Sequence, residues 1–248
     1  MADPDRRHFL IAAGMTAGWA VGAAPFTASA QQSQTPGRQQ VDLALVLAAD
    51  CSGSVSNEEY ALQQQGYADA FRQREVIKAI RSGIHGTIAV CYFQWSGYSL
   101  QTPIIPWAAL RSDESIATFA TALQHAERRL YSGGTAPGGA MAFGRMLLDD
   151  MPWTAARKVI DISGDGRTNT GPSPEQDRAA ALARGITING LPIENQEPDL
   201  EEYYRQHVIG GPGAFLVPAR DFEAFKEAIR RKLVQEIAGI PSHTKRSG

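Results

Sequence analysis

The sequence lacks the motifs on which several enzyme classes depend. Its five histidines include no His-x-x-x-His or Glu-x-x-His pair of the kind that holds catalytic zinc. It contains neither the nucleotide-binding pattern G-x-x-x-x-G-K-[ST] nor the G-x-S-x-G elbow of serine hydrolases. Gly164-Asp165-Gly166 lacks the third glycine of a dinucleotide fingerprint. These absences argue against zinc hydrolases, nucleotide-dependent enzymes and serine esterases.

Basic charge, long apolar runs and cysteine are also scarce. The 24 Lys and Arg residues are outnumbered by 26 Asp and Glu, which argues against a nucleic-acid partner. Beyond residue 30, no apolar run approaches the ~20 residues that span a bilayer. Cys51 lies past the end of the first predicted strand and Cys91 lies inside the next, an offset of about 13 Å in a parallel pair. A disulfide needs Cα atoms within ~7 Å, so we predict two free thiols.

Residues 1–30 have the pattern of an export signal. Arg6-Arg7 followed by Phe9-Leu10 resembles a twin-arginine signal, and an ordinary secretory signal with two arginines is the alternative. An apolar stretch over 11–24 and the small residues Ala28-Ser29-Ala30 complete the pattern. Either route predicts a periplasmic or otherwise exported bacterial protein. We expect 31–40 to be a disordered lead and 240–248 a flexible tail.

Between these ends, residues 41–239 read as one α/β domain. Strands are predicted at 41–50, 87–95, 157–163, 186–193 and 214–218, with a short extended piece at 100–106. Helices are predicted at 57–80, 113–130, 138–149, 173–184, 199–208 and 222–237. Strands alternating with helices indicate a doubly wound, mostly parallel sheet flanked by helices on both faces. Asp161 and Asn189 fall inside apolar strands, where we expect them to be structural anchors.

The first predicted strand ends in a group of small oxygen-bearing residues. Its apolar run from Val41 stops at Asp50-Cys51-Ser52-Gly53-Ser54. In parallel sheets, ligands bind beyond the carboxyl ends of the strands. One carboxylate and two hydroxyls on a tight loop suit a hard divalent cation. The segment therefore predicts a metal site.

Two further segments bring oxygen ligands to the same expected edge. Thr135 follows Gly133-Gly134 and precedes a predicted helix, while Asp165 lies just beyond the strand that ends at Ser163. Three hydroxyls and two carboxylates, some of them acting through water, would suit Mg²⁺, and Mn²⁺ or Ca²⁺ as well. Because much of the direct ligation would be neutral, the cation could accept a carboxylate from a partner as its last ligand.

At these residues the sequence resembles the von Willebrand factor A domain and its metal-ion-dependent adhesion site. That site is written Asp-x-Ser-x-Ser, then Thr, then Asp. This chain fills it, in order, with Asp50, Ser52, Ser54, Thr135 and Asp165. The mature chain also resembles an uncharacterised exported bacterial family. The resemblance implies a von Willebrand A, Rossmann-like fold and a protein partner that presents Asp or Glu to the cation.

The chain departs from that pattern at two positions. Gly164 stands before Asp165, where threonine is common, and Pro137 stands where a second threonine often follows Thr135. Two alternatives to adhesion stay open. One is a metal-assisted hydrolase of the phosphoesterase type, although such an enzyme usually has a second acid where this chain has Ser52. The other is a structural module with a vestigial metal site. We find no catalytic motif and assign no catalytic residue.

Overall fold

A computed structural model describes residues 38–239 of the chain. The predicted export signal, residues 31–37 of the predicted lead and the predicted tail lie outside this part. The strands are β1 (Gln40–Asp50), β2 (Ile88–Trp95), β3 (Gln101–Leu110), β4 (Thr154–Gly164) and β5 (Ile186–Pro192). The helices are α1 (Asn57–Phe71), α2 (Arg74–Arg81), α3 (Asp113–Gln124), α4 (Pro137–Asp150), α5 (Glu175–Leu182), α6 (Leu200–Tyr203) and α7 (Phe222–Ala238).

The five strands form one sheet in the order β3-β2-β1-β4-β5. β1 pairs in parallel with β2 and β4, β5 pairs in parallel with β4, and β3 is an antiparallel edge strand. Leu43, Leu45 and Leu47 of β1 face a core formed with α1, α2, α3 and α7. Ala44 and Val46 face a second core formed with α4, α5 and α6. The predicted doubly wound α/β fold with helices on both faces is confirmed.

The predicted helix over 57–80 is two helices in the structure. Gln73 has extended backbone angles and separates α1 from α2. The amide of Gln73 still donates to the Ala70 carbonyl, which closes the end of α1, and its carbonyl accepts the first bond of α2. This break reorients the chain, so that Val76 and Ile80 of α2 join the same core as Phe71 of α1.

The predicted helix over 113–130 ends early, at Gln124. The buried carboxamide of Gln94 in β2 forms hydrogen bonds with backbone groups that would pair with each other in a longer helix. Its Nε2 donates to the Glu127 carbonyl at 2.8 Å, and its Oε1 accepts from the amide of Arg129 at 2.7 Å. A tertiary contact therefore overrides the helical pattern of this segment.

Two predicted elements near the sheet edges also differ. The extended piece at 100–106 is the longer strand β3, in which Pro103 and Pro106 are tolerated because an edge strand leaves some amides unpaired. The predicted strand at 214–218 forms a single isolated bridge, from Leu216 to Gly190. The predicted helix at 199–208 is α6 followed by a π-helical turn over Tyr204–Val208.

Both cysteines are buried and free. The pairing of β1 with β2 places Cys91 opposite Val46, so Cys51 lies beyond it past the end of β1, as the predicted offset requires. No helix within residues 38–239 has the length and apolarity needed to cross a bilayer.

A buried charge cluster ties α7 to the sheet. Lys232 Nζ lies 2.6 Å from Asp161 Oδ1 and 3.2 Å from Glu236 Oε1. Asn189 donates to Glu236 at 2.7 Å and accepts from the amide of Phe215. Burial raises the pKa of Asp161 to about 7, against the lowering effect of the Lys232 charge. Asp161 and Asn189 thus have the contacts of structural anchors.

Replacing Lys232 by methionine tests this cluster. The variant keeps an apolar stem but leaves Asp161 and Glu236 without their cation, and breaking a buried ion pair costs about 3–5 kcal/mol. The free energy of unfolding from urea denaturation at neutral pH should fall by that amount. Lys226→Met is the matched control on the same helix, since the Lys226 side chain is exposed and its ion pair with Asp69 is worth less than about 1 kcal/mol. Equal losses in the two variants would contradict an anchoring role.

Candidate metal centre

The predicted ligands meet at the carboxyl edge of the sheet. β1 and β4 are parallel neighbours, so the loops after Asp50 and after Gly164 leave the same edge. The Gly53 amide in the first loop donates to the Gly133 carbonyl at 3.2 Å, which brings the loop before α4 to the same place. The structure therefore gathers the three predicted segments.

A chain of hydrogen bonds connects four of the five predicted ligands. The Ser52 amide donates to Asp50 Oδ1 at 2.7 Å. The Ser52 and Ser54 hydroxyls are 3.1 Å apart, and Ser54 Oγ donates to Asp165 Oδ1 at 3.0 Å. Asp50, Ser52 and Asp165 are buried, whereas Ser54 is exposed. The cluster is therefore accessible to solvent at Ser54.

Thr135, the fifth predicted ligand, is buried and packs against the loop that carries Asp165. Its Oγ1 lies 3.4 Å from the place that a Cβ on Gly166 would occupy. Its amide donates to Asn169 Oδ1 at 2.7 Å, and the Asn169 amide donates back to the Thr135 carbonyl at 3.0 Å. Asn169 was not predicted as part of the site, because the side chains of loop asparagines commonly hydrogen-bond to the backbone of their own turn.

The departure at Pro137 has a simple structural reason. Pro137 is the first residue of α4, where no intrahelical partner exists for an amide and the fixed φ of proline suits the helix. The preceding loop is held by Ser96, whose hydroxyl lies 2.8 Å from the Ser132 carbonyl and 3.1 Å from the Gly134 carbonyl. Proline at this position thus fits the loop that presents Thr135.

The departure at Gly164 has a different reason, which is lack of space. A Cβ at this position would lie 2.8 Å from Asp50 Oδ2, 2.8 Å from Tyr204 Oη and 3.1 Å from a ring carbon of Trp95. A threonine could not fit without displacing one of them. Tyr204, the first residue of the π-helical turn after α6, and Trp95, the strand partner of Asp50 at the end of β2, are thus neighbours of the site. Tyr204 was not predicted, because nothing in the sequence around it relates it to Asp50.

Arg128 joins the Asp50 loop to the segment that follows α3. Its guanidinium donates to the Ser52 carbonyl at 3.3 Å and to Asn57 Oδ1 at 3.1 Å, and its Nε donates to the Leu130 carbonyl at 2.7 Å. It also lies 5.2 Å from the ring centre of Tyr131, which is 64% exposed. A fixed cation and an exposed aromatic ring therefore adjoin the candidate site.

The surroundings disfavour the ionised form of both carboxyl groups of the site. Burial, and after it repulsion by Asp165, raise the pKa of Asp50 to about 8, against the lowering effect of the hydrogen bonds from Ser52. Burial also raises the pKa of Asp165, against a hydrogen bond from Ser54. Asp50 Oδ2 and Asp165 Oδ2 are buried without a hydrogen-bond partner among the described residues. A divalent cation would supply the missing positive charge.

The donor set fits a hard cation. In the part of the chain that the structure describes, no three or more His, Cys, Asp and Glu side chains are placed so that they could hold a metal ion by themselves. A cation bound at this edge would therefore depend on the hydroxyls of Ser52, Ser54 and Thr135 as well as on the two carboxylates. An all-oxygen set of this kind suits Mg²⁺, Mn²⁺ or Ca²⁺.

Comparison with known proteins places the chain by family and by fold. Residues 40–241 match a family described as protein of unknown function (DUF1194). No curated protein matches the chain. A similar solved structure is proximal thread matrix protein 1 from the mussel byssus with a zinc-occupied MIDAS motif, at 17% identity and a TM-score of 0.60 over 81% of this chain and 49% of that one.

Two further structures have the same fold. A von Willebrand factor type A structure from Catenulispora acidiphila is 18% identical, with a TM-score of 0.56 over 79% of this chain and 43% of that one. The pilus adhesin SpaC of Lactobacillus rhamnosus GG is 14% identical, with a TM-score of 0.58 over 82% of this chain and 31% of that one. This chain spans less than half the length of each of the three. The predicted von Willebrand A fold is confirmed.

The raised pKa of Asp50 predicts pH-dependent stability in the metal-free protein. The carboxyl ionises near its ordinary value of 3.8 when unfolded and near 8 when folded. As the pH rises between these values, the unfolded state releases a proton that the folded state keeps. The free energy of unfolding therefore falls, by at most about 1.4 kcal/mol per pH unit.

The variant Asp50→Asn should remove this contribution. Urea unfolding in chelator, measured at intervals across the neutral and mildly acidic range, should show a flatter pH dependence than in the wild type. Asp177→Asn, away from the cluster, is the control and should follow the wild-type curve. Parallel curves for Asp50→Asn and the wild type would contradict the raised pKa.

Proposed function

The chain belongs to the family of proteins of unknown function DUF1194, and we propose that it is a metal-dependent protein-binding module of the adhesion type. One observation carries the proposal. Two buried carboxylates, each with one oxygen that has no hydrogen-bond partner within residues 38–239, lie with the Ser52 and Ser54 hydroxyls at the carboxyl edge of a von Willebrand A sheet, where Thr135 packs against the loop of Asp165. A fold neighbour with zinc in the corresponding motif supports the same conclusion.

The proposed ligands of the cation are Asp50, Ser52, Ser54, Thr135 and Asp165. Bound there, Mg²⁺, or Mn²⁺ or Ca²⁺ in its place, supplies a localised positive charge that can attract a carboxylate. The hydroxyl ligands fill coordination positions without neutralising that charge, which favours an Asp or Glu of a protein partner as the last ligand. Ser54 is exposed, so the partner approaches from its side of the cluster.

Residues around the five proposed ligands hold the three loops in place relative to one another. Asn169 connects the Thr135 loop to the loop after Asp165 through two hydrogen bonds, one to its side-chain Oδ1 from the Thr135 amide and one from its own amide to the Thr135 carbonyl. Arg128 connects the Asp50 loop to the segment before Thr135. The exposed ring of Tyr131 adds apolar surface beside the site, where a partner can bury area around its carboxylate.

We also propose the organisation around this module. Residues 1–30 serve as an export signal, 31–40 as a lead, 41–239 as the binding domain and 240–248 as a tail. The charge and hydropathy pattern of residues 1–30 supports export to the periplasm or beyond. The similarity in fold to a pilus adhesin also supports the proposal that this protein is located outside the cytoplasm.

Metal binding can be tested by thermal unfolding. Millimolar Mg²⁺, Mn²⁺ or Ca²⁺ should raise the melting temperature of the wild type, since a ligand at 100 times its Kd stabilises by about 2.7 kcal/mol. Asp50→Ala should abolish the shift, and Ser54→Ala should reduce it. Ser56→Ala is the matched control, because Ser56 caps α1 and is not a proposed ligand. That variant should lose about 1 kcal/mol of stability but keep the shift.

Thermal unfolding and an assay for phosphoester hydrolysis together separate the alternatives. A wild-type melting temperature that no cation changes would contradict the proposal and favour a structural module with a vestigial site. Hydrolysis of a generic phosphoester that is lost in Asp50→Asn would favour the metal-assisted hydrolase instead.

Partner binding should depend on the cation and on carboxyl groups. Immobilised protein with Mg²⁺ should retain a protein from periplasmic extract and release it on addition of chelator. Amidation of the carboxyl groups in the extract should abolish retention, and Thr135→Ala should weaken it. Retention that survives chelator, amidation and Thr135→Ala alike would contradict capture through a cation.

A further inference from the structure

Tyr204 lies buried beneath the candidate metal centre, in space that two glycines leave free. A Cβ on Gly164 in β4 would lie 2.8 Å from Tyr204 Oη, and a Cβ on Gly190 in β5 would lie 2.7 Å from Tyr204 Cδ1. Any larger residue at either position would collide with the phenol. Glycine weakens a strand interior and often marks the close approach of another group, and here that group is Tyr204.

The backbone that carries Tyr204 is irregular on both sides. α6 begins after Asp199, which has a φ of 65° and is the one non-glycine residue with positive φ in the described part of the chain. A π-helical turn begins at Tyr204, whose carbonyl accepts from the Ile209 amide at 2.9 Å. Such turns are rare and frequently lie at functional sites. Left-handed backbone at a non-glycine residue is also uncommon and costs free energy.

Three buried polar atoms around Gly164 have no hydrogen-bond partner among the described residues. They are Tyr204 Oη, Trp95 Nε1 and Asp50 Oδ2. Tyr204 Oη and Asp50 Oδ2 each lie 2.8 Å from the Cβ position of residue 164, and the Trp95 ring lies 3.1 Å from it. The phenol and the indole are hydrogen-bond donors, whereas an ionised carboxylate only accepts. The Tyr204 phenol, a donor, therefore borders the same small volume as the Asp50 oxygen that has no partner among the described residues, and a ring carbon of Trp95 borders it as well.

We propose that Tyr204 is a positioning residue of the metal centre, whose hydroxyl donates to the Asp50 carboxylate when a divalent cation is bound. This inference rests on the proposed function and adds a residue outside the five ligands. Side chains that hold a metal ligand by hydrogen bonding orient it, and their loss typically lowers metal affinity about 10–100-fold. The phenol takes the volume that a side chain at position 164 would otherwise fill.

Tyr204→Phe tests the inference, because it removes the hydroxyl and keeps the ring. Mn²⁺ titration by calorimetry should show an affinity about 10–100-fold below the wild-type value. Without metal, the free energy of unfolding should be unchanged or higher, since the lost hydroxyl has no hydrogen-bond partner among the described residues. A merely structural tyrosine would give the opposite pair of results, lower metal-free stability and unchanged affinity.

Tyr92→Phe is the matched control. Tyr92 is equally buried but lies in the core on the opposite face of the sheet, where its hydroxyl accepts from Gln64. This variant should lose metal-free stability and keep the wild-type Mn²⁺ affinity. Gly164→Ala, which forces a Cβ between Asp50 and Tyr204, should lower the affinity as Tyr204→Phe does.

The outcomes distinguish this inference from the function on which it rests. Wild-type Mn²⁺ binding that Tyr204→Phe leaves unchanged overturns the role of Tyr204 and keeps the metal centre. Absence of Mn²⁺ binding in the wild type overturns both. Equal losses of affinity in Tyr204→Phe and in the Tyr92→Phe control also overturn the specific role of Tyr204.

Discussion

The burial of the Asp50 carboxyl at the end of the central strand is the constraint on which the rest of the site depends. β1 passes between two apolar cores, so its last residue is removed from water on both faces of the sheet. A carboxylate in that place needs hydrogen bonds or positive charge. Ser52 supplies one bond, and the other oxygen has no partner among the described residues. The loops that carry the proposed ligands surround this carboxylate, where their side chains could bind a cation that supplies the positive charge.

The protein contains a useful internal comparison in Asp161. That carboxylate is equally buried, but Lys232 lies 2.6 Å away and joins it in an ion pair that ties α7 to β4. Asp50 is raised in pKa by burial and by a second carboxylate, and none of the causes of its shift is a cationic side chain. Asp161 therefore has its positive charge within the protein, although apart from that ion pair its two oxygens are also buried without a hydrogen-bond partner among the described residues. Asp50 has no such cationic side chain, so a cation from solution would have to supply the charge, and this difference is the physical basis for proposing a function for one carboxylate and not for the other.

Much of the architecture followed from local pattern, and the exceptions have identifiable tertiary causes. The parallel α/β core was predictable because β1 and β4 are nearly uninterrupted apolar runs that end in loop residues. The end of α3 could not be predicted, because it depends on the side chain of Gln94 in β2. That side chain forms hydrogen bonds with the backbone of the segment that follows α3 and so holds it out of the helix. The division between α1 and α2 depends on one extended residue, Gln73, whose type is ordinary within a helix.

By itself, the sequence determined the fold class and the five candidate ligands, because apolar periodicity and the order of small oxygen-bearing residues are properties of the chain. Tertiary structure alone decided which further side chains approach them. Asn169 reaches Thr135, and Tyr204 and Trp95 border Asp50 across Gly164. Those contacts join residues far apart in the chain through the register of neighbouring strands and an irregular turn after α6. Spacing along a sequence does not encode such distances, because they depend on how the layers pack.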